Sequence, residues 1–521
     1  MSPKQVIVGR RIDLEEVHRV ARLRAKAVLN EHAEAALSHT RGLLEASLAD
    51  GSTIYGVNTG FGALSETRIP PEKLAQLQRN LLRSHAVGVG PAFAEDVVRA
   101  LMMLRAHTLA LGASGVRPLL PQRLLALLDA GIVPLVPRQG SVGASGDLAP
   151  LAHLALAVIG EGEVWLHGDR MPADRALARV GLEPIELAPK EGLSLINGTQ
   201  VTTAVTALAI HDARELLMAA DIIGAISLDA MLGSVRICDP RIHAGKPHPG
   251  QRRSAELIAE LIADSPLNRS HANCGRVQDA YSLRCMPQVH GAARAALQYV
   301  ADAVEIELNS FTDNPLVLLR EPSDDPEDPG FDVLSGGNFH AGTVALPADH
   351  ASAALTTLAT ISERRLDRFC APESSRGLPA FLSNDPGLES GFMMAQVTAA
   401  ALASECKTLS TPACVDTIPT SAGKEDHVSM GPIAARKLGA VVANLARVLA
   451  IEAAVAARAV DLREHPSSER LMAVHAAIRR HLGPFEGDRS LSAELEALAG
   501  AIVRGELREA AGLAAEGSQP S

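Results

Sequence analysis

The sequence predicts a mainly α-helical protein, a long central helical bundle joined to a smaller mixed N-terminal region, and three observations carry that expectation. From residue 198 onward, Ala- and Leu-rich patterns recur at helical spacing over 200–232, 252–264, 279–310, 340–369, 386–410 and 432–462. Several of these far exceed an average helix of about 11–12 residues. Apolar residues make up 47% of the 521 positions, ample for a large core. Before residue 198, shorter helical stretches alternate with glycine-rich loops. Apolar faces this long and wide imply bundle helices that also bury surface against other subunits. We divide the chain into an N-terminal region, 1–198, a long-helix region, 199–513, and a tail, 514–521, expected to be disordered.

Taken in order, Leu14, Val17, Val20, Ala21, Leu23, Val28 and Leu29 recur at roughly helical spacing, so 13–48 reads as an amphipathic helix or helix pair. STIYGVNTGFGALS, 52–65, combines glycines with Asn and Thr and reads as a loop. Loops on rigid scaffolds often carry catalytic groups, and on spacing alone Tyr55 is as readily a packed residue as a functional one. Helices are expected at 72–86, 94–111 and 119–130, then a small hairpin with its connection over 160–187. The proline- and acid-rich REPSDDPEDPGFD, 320–332, reads as a solvated loop, and helical patterning resumes beyond 463 up to about 513.

The most informative stretch is GSVGASGDLAPLAH, 140–153. Ala144, Ser145 and Gly146 have almost no side-chain bulk, which lets the backbone bend back on itself. Attack of the Gly146 nitrogen on the Ala144 carbonyl carbon, with loss of two waters, would give a five-membered ring bearing an exocyclic methylene from Ser145. Such a ring is an electrophile, which no unmodified side chain supplies. A second Ala-Ser-Gly stands at 113–115, and taken alone the bare triplet is better read as a flexible turn or a helix start. Asp147 and a helical run follow only the later copy, placing it at a helix N-terminus where amide dipoles favour developing negative charge.

A formal charge of −11 argues against a nucleic-acid binder. The six cysteines show no short spacing for zinc or redox chemistry, so no metal is expected, and they read as buried free thiols of a reducing, cytoplasmic compartment. The N-terminus lacks a sustained apolar run, and the Ala-rich stretch at 394–404 is too short for a membrane span.

YGVNTGFG (55–62), LINGTQ (195–200), VQDAYSLRC (277–285), TDNPL (312–316), SGGNFHA (335–341) and KEDHVSMG (424–431) accompany the triplet motif in order. Together they resemble the aromatic amino acid lyase family, the histidine, phenylalanine and tyrosine ammonia-lyases and related aminomutases. The resemblance implies a 4-methylideneimidazol-5-one (MIO) group made autocatalytically from Ala144, Ser145 and Gly146. It implies Tyr55 as the base that takes the β-proton, with Tyr281 a second catalytic residue. Tyrosine serves as a base only when positive potential or donated hydrogen bonds favour its anion. In VQDAYSLRC, Gln278, Tyr281 and Arg284 are expected on one helix face, with Arg284 holding the substrate carboxylate in its two-pronged fork. Asn197 and Phe339 are implied to line the prosthetic group and amine pocket, Asn197 as a donor.

His85, in a Ser-His pair, and Glu425 match the histidine-acting members, and the two are expected at the far end of the pocket from Arg284. The implied reaction is elimination of ammonia from L-histidine to give urocanate. Gly423, Lys424 and Met286 depart from the histidine-acting pattern, so a tyrosine ammonia-lyase or tyrosine 2,3-aminomutase stands as the alternative. The resemblance further implies a homotetramer with shared active sites, acting on a small amino acid with no nucleic-acid or membrane partner.

Overall fold

The computed structural model describes residues 5–321 and 330–515, apart from the Ala63 side chain. The middle of the expected solvated loop, 322–329, and most of the expected tail, 516–521, lie outside the described residues. The fold is mainly helical, and the chain divides into two compact units. One comprises 1–208, 301–348 and 412–436; the other comprises 209–300, 349–411 and 437–521.

The first unit begins with α1 (Leu14–Ala21), opened by a capping box in which Asp13 accepts from the Glu16 N–H and Glu16 reaches back. Helix α2 (Glu31–Ala49) is capped by Asn30, which accepts from the His32 N–H at 2.9 Å. Helices α3 (Leu74–His85), α4 (Glu95–Ala110), α5 (Leu119–Asp129) and α6 (Leu148–Val158) follow. Then come α7 (Ala173–Arg179), α8 (Glu191–Ile196) and the start of α9 (Gln200–Ala230). Helix α4 packs against α1 and α5, while α3, α6 and α8 pack on one another.

The β structure of this unit is slight. Val6–Val8 pairs in parallel with Ala27–Leu29, short strands that helical periodicity did not suggest. Glu163–Leu166 and Asp169–Pro172 form the expected hairpin, with Ile132–Pro134 added along its edge. Its two-residue turn, His167-Gly168, holds both φ angles positive, at 52° and 91°, as a primed turn requires. Leu316–Leu319 and Phe331–Leu334 form a further antiparallel pair.

The second unit is built from long apolar helices whose buried charges are paired. Arg365 donates to both oxygens of Glu452, at 2.6 and 2.9 Å, and Ser227 adds a third donor at 2.7 Å. Asp221 is buried against His290 (2.7 Å), Arg294 (2.7 Å) and Ser254 (3.0 Å). Removing one partner from such a group strands a charge in a dry interior, at a cost of about 3–5 kcal/mol.

The expected helix over 279–310 is in fact two, Tyr281–Arg284 and Met286–Leu308. Pro287 has no N–H to donate backward, and its ring excludes a continuous helix through Cys285. The first of the two begins only at Tyr281, after an extended Ala280, so Gln278 precedes the helix rather than sharing a face with Tyr281 and Arg284. Gly431–Asp461 is long and apolar enough to cross a membrane, but 83% of its apolar window is buried, as in a core helix. The cysteines are free; Cys238, Cys370 and Cys406 are buried, whereas Cys285 and Cys414 are half-buried and Cys274 is exposed.

Candidate active site

Three helix ends in the first unit converge on one cavity of about 520 Å³. His85 closes α3, Ser145 stands just before α6, and Asn197 caps the C-terminus of α8. Because α3, α6 and α8 pack on one another, these three residues are brought together by the scaffold rather than by loop flexibility. Tyr55 and Glu425 are among the other polar residues that line it.

The triplet is sharply bent. Ser145 sits at φ +49° between Gly143 at +75° and Gly146 at +80°, a left-handed conformation that costs an ordinary side chain roughly 1–2 kcal/mol. The Asp147 N–H donates to the Gly198 carbonyl at 2.8 Å, drawing Gly146 against Gly198. A Cβ at Gly146 would stand 2.3 Å from the Gly198 oxygen, so only glycine fits there. The earlier copy of the triplet differs in its surroundings: Ala113 and Ser114 are buried, Val317 N–H binds the Ala113 carbonyl at 2.8 Å, and Gly115 backs onto Leu44 and Val317.

Asp147 is fully buried and accepts from the Thr202 N–H (2.8 Å) and hydroxyl (3.1 Å). Burial outweighs these donors and pushes its carboxyl up to about 7. A carboxyl raised in the folded state stabilises when protonated, and that contribution is lost as pH rises through about 7. Wild-type thermal stability is therefore expected to fall relative to Asp147→Asn between about pH 4 and 7, a trend that melting curves across that range would reveal.

Tyr55 lies in a loop pinned by its own polar side chains. Asn58 accepts from the Ile54 N–H at 2.8 Å and donates to the Ser52 carbonyl at 2.7 Å, while Thr59 accepts from the Gly56 N–H at 3.0 Å. The Tyr55 hydroxyl accepts the Gly62 N–H at 3.2 Å, a contact that orients its oxygen. Glu425 accepts the Ser145 hydroxyl at 3.1 Å on one oxygen and the Thr420 hydroxyl at 2.6 Å on the other. The carboxylate thus stands beside Ser145. That proximity spans 280 positions of sequence, and no local pattern announces it.

His85 Nδ1 faces the Leu81 carbonyl at 2.9 Å, and burial lowers the basicity of its ring against the opposing pull of that carbonyl and of Glu425. Asn197 donates to the Asn314 carbonyl at 3.3 Å, leaving its buried Oδ1 without a partner among the described residues. Beneath it, Arg105 donates to the Asn197 carbonyl at 2.9 Å and to Gln200 at 2.7 Å, and also to the Ser194 carbonyl. Arg105 and Gly198 were not singled out from sequence; Gly198 lay within LINGTQ, while nothing around Arg105 marks it.

The remaining predicted residues are not among those lining this cavity. Phe339 is half-buried in the first unit and does not line the cavity. Gln278 and Arg284 belong to the second unit and border a hollow of about 820 Å³. Tyr281 is 72% exposed, with the Arg284 guanidinium 4.7 Å from its ring centre, and Arg284 Nε is buried without a partner among the described residues. Of the departures, Lys424 is exposed, Gly423 occupies φ +82°, and Met286 is fully buried.

Fold and site together define a mainly helical protein with a left-handed Ala-Ser-Gly turn at a helix N-terminus, lining a cavity with Tyr55, His85 and Glu425. The chain belongs to the aromatic amino acid lyases, a family that it matches over residues 12–480. It is 50% identical over 507 residues to the histidine ammonia-lyase of Sorangium cellulosum (strain So ce56), covering 96% of this chain and 98% of that relative. Its structure resembles the tyrosine aminomutase of Streptomyces globisporus, with a TM-score of 0.90 and 37% identity over 97% of this chain and 98% of that one. It also resembles the histidine ammonia-lyase of Trypanosoma cruzi, with a TM-score of 0.89 and 38% identity over 98% and 95% of the respective chains.

Proposed function

We propose that this chain is a carbon–nitrogen lyase that eliminates ammonia from L-histidine to give urocanate, with an MIO group formed from Ala144, Ser145 and Gly146. The observation that carries the reading is that His85 and Glu425 line the same cavity as Ser145 and Tyr55. The triplet fits the group: its backbone is already bent at Ser145, and Gly146 lies where no Cβ has room. Once formed, the group supplies an electron sink for the substrate amine, turning a poor leaving group into a better one.

The chain's own residues do the rest. Tyr55 takes the β-proton from a position fixed by the Gly62 N–H. Loss of the Ser145 hydroxyl as water releases one oxygen of Glu425, which then accepts an N–H of the substrate imidazole, while Thr420 still holds the other oxygen. His85 meets the second ring nitrogen. Asn197, braced from behind by Arg105, offers the substrate's amine end a buried acceptor. The carboxylate falls to Arg284, with Gln278 and Tyr281 beside it; in a homotetramer with shared sites another copy supplies these three, a role that suits the 72% exposure of Tyr281.

The likeness to a tyrosine aminomutase keeps a phenol-binding lyase or aminomutase as the second reading. A phenol offers one polar atom to a pocket with two polar partners, and a buried partner left unpaired costs about 1–3 kcal/mol. Glu425→Gln is accordingly expected to lower kcat/KM for histidine by roughly tenfold or more and to affect tyrosine less. Faster turnover of tyrosine by the wild type, or release of a β-amino acid, would overturn the histidine reading.

A further inference from the structure

Arg105 is fully buried in α4 and directs its donors at one short segment of chain. It donates to the carbonyls of Ser194 and Asn197, at the end of α8, and to the side chain of Gln200, which opens α9. Gln200 is fixed in turn, donating to the Thr108 hydroxyl at 3.0 Å and to the Thr312 hydroxyl at 2.8 Å. Gly198 lies between these contacts. A Cβ on Gly198 would stand 2.5 Å from Arg105 Nη1 and closer still to Gln200 Oε1, so the guanidinium is packed against its Cα.

The same glycine meets the triplet through its backbone. Its carbonyl accepts the Asp147 N–H, and a Cβ on Gly146 would stand 2.6 Å from its nitrogen. Gly198 is therefore packed against Arg105 through its Cα and against Gly146 through its peptide groups. Ring closure depends on where Gly146 is held. The Gly146 nitrogen bonds the Ala144 carbonyl carbon while its hydrogen passes to the Ala144 oxygen. That hydroxyl leaves as water with the Ser145 amide hydrogen, and a C=N bond remains. The Ser145 hydroxyl leaves as the second water with its own Cα hydrogen, and the methylidene remains. No oxidant or reductant enters. An amide nitrogen is a weak nucleophile, so the rate is set by how closely the two reacting atoms are kept together.

We propose that Arg105 is a positioning residue for this cyclisation: by fixing the Asn197–Gly198 peptide it supplies the wall that keeps Gly146 bent toward Ala144. Burial pushes its guanidinium down to about 10, against the opposing pull of Asp313, which leaves it charged at neutral pH and its hydrogen bonds charge-assisted. Lysine keeps a charge but lacks the planar fork, and so cannot hold the same three acceptors. This inference rests on the MIO reading above and concerns how the group is made, not how it acts.

Arg99 supplies the control. It lies in the same helix, is 4% exposed, and likewise donates to backbone carbonyls, but to those of Val20, Ala21 and Leu128, outside the 194–200 segment. Full-length wild type, Arg105→Met, Arg105→Lys and Arg99→Met are made by cell-free synthesis. Synthesis is then stopped, and the intact mass of the soluble protein is followed with time, with melting curves alongside. Both Arg105 variants are expected to lose the two waters at least about tenfold more slowly than the wild type. Arg99→Met is expected to lose them at the wild-type rate although its melting temperature falls. Cyclisation of the Arg105 variants at the wild-type rate, or an equal slowing in Arg99→Met, would overturn the proposal; should Arg105→Met prove insoluble, Arg105→Lys alone decides. A wild type that stays at its full sequence mass overturns the prosthetic-group reading and this inference with it, whereas a light wild type beside equally light Arg105 variants overturns this inference only.

Discussion

Ser145→Ala is expected to yield a folded protein with at least about 10³-fold lower kcat, at its full sequence mass, and the wild type is expected to be lighter by two waters. The fold should survive because both residues pay the same backbone strain at φ +49°. The substitution deletes only one hydroxyl, whose partner Glu425 retains Thr420 as a donor. What disappears is the atom whose departure would create the methylidene carbon of the proposed group. Peptide mapping of the wild type should confine the mass loss to the segment bearing residues 144–146. Residues 113–115 should keep their full mass, because Ser114 is only 2% exposed in the interior and Gly115 is wedged against Leu44 and Val317. Undiminished turnover by Ser145→Ala would sink the mechanism.

Much of this was legible in the chain because the signals are local. The helix N-terminus after Ser145, the loop around Tyr55 and the turn between Leu166 and Asp169 each follow from a few adjacent residues, and the structure places them there. The break at Cys285 was also written locally: Pro287 is a signal strong enough to divide 279–310, and periodicity alone overrode it. Other features were beyond any local pattern. Val6–Val8 and Ala27–Leu29 are strands three residues long whose pairing is set by tertiary neighbours. The approach of Glu425 to Ser145 and the clamp of Arg105 on the Asn197 carbonyl join distant segments. Proximity of that kind is a property of packed helices, not of sequence spacing.

The two candidate tyrosines illustrate how geometry separates residues that the sequence treats alike, since both fall within motifs of the family. Tyr55 lines the cavity with Ser145, and its hydroxyl is held by the Gly62 N–H at 3.2 Å. Tyr281 is open to solvent in the other unit, its ring covered on one face by Arg284. Of the two, Tyr55 is the one that shares a cavity lining with Ser145, which is what the proposed role of taking the β-proton requires. Tyr55→Phe keeps the ring and its packing and deletes the acceptor alone. The variant is expected to lose about 10²–10⁴-fold in kcat, the range for removing a general base, while KM for histidine stays within a few-fold. That split identifies an interaction made in the transition state rather than in ground-state binding. The mass deficit of two waters should persist in the purified variant, separating a defect in proton transfer from a defect in forming the prosthetic group. Wild-type kcat in a Tyr55→Phe protein with an intact mass deficit would leave Tyr55 as a packing residue and require a base from elsewhere.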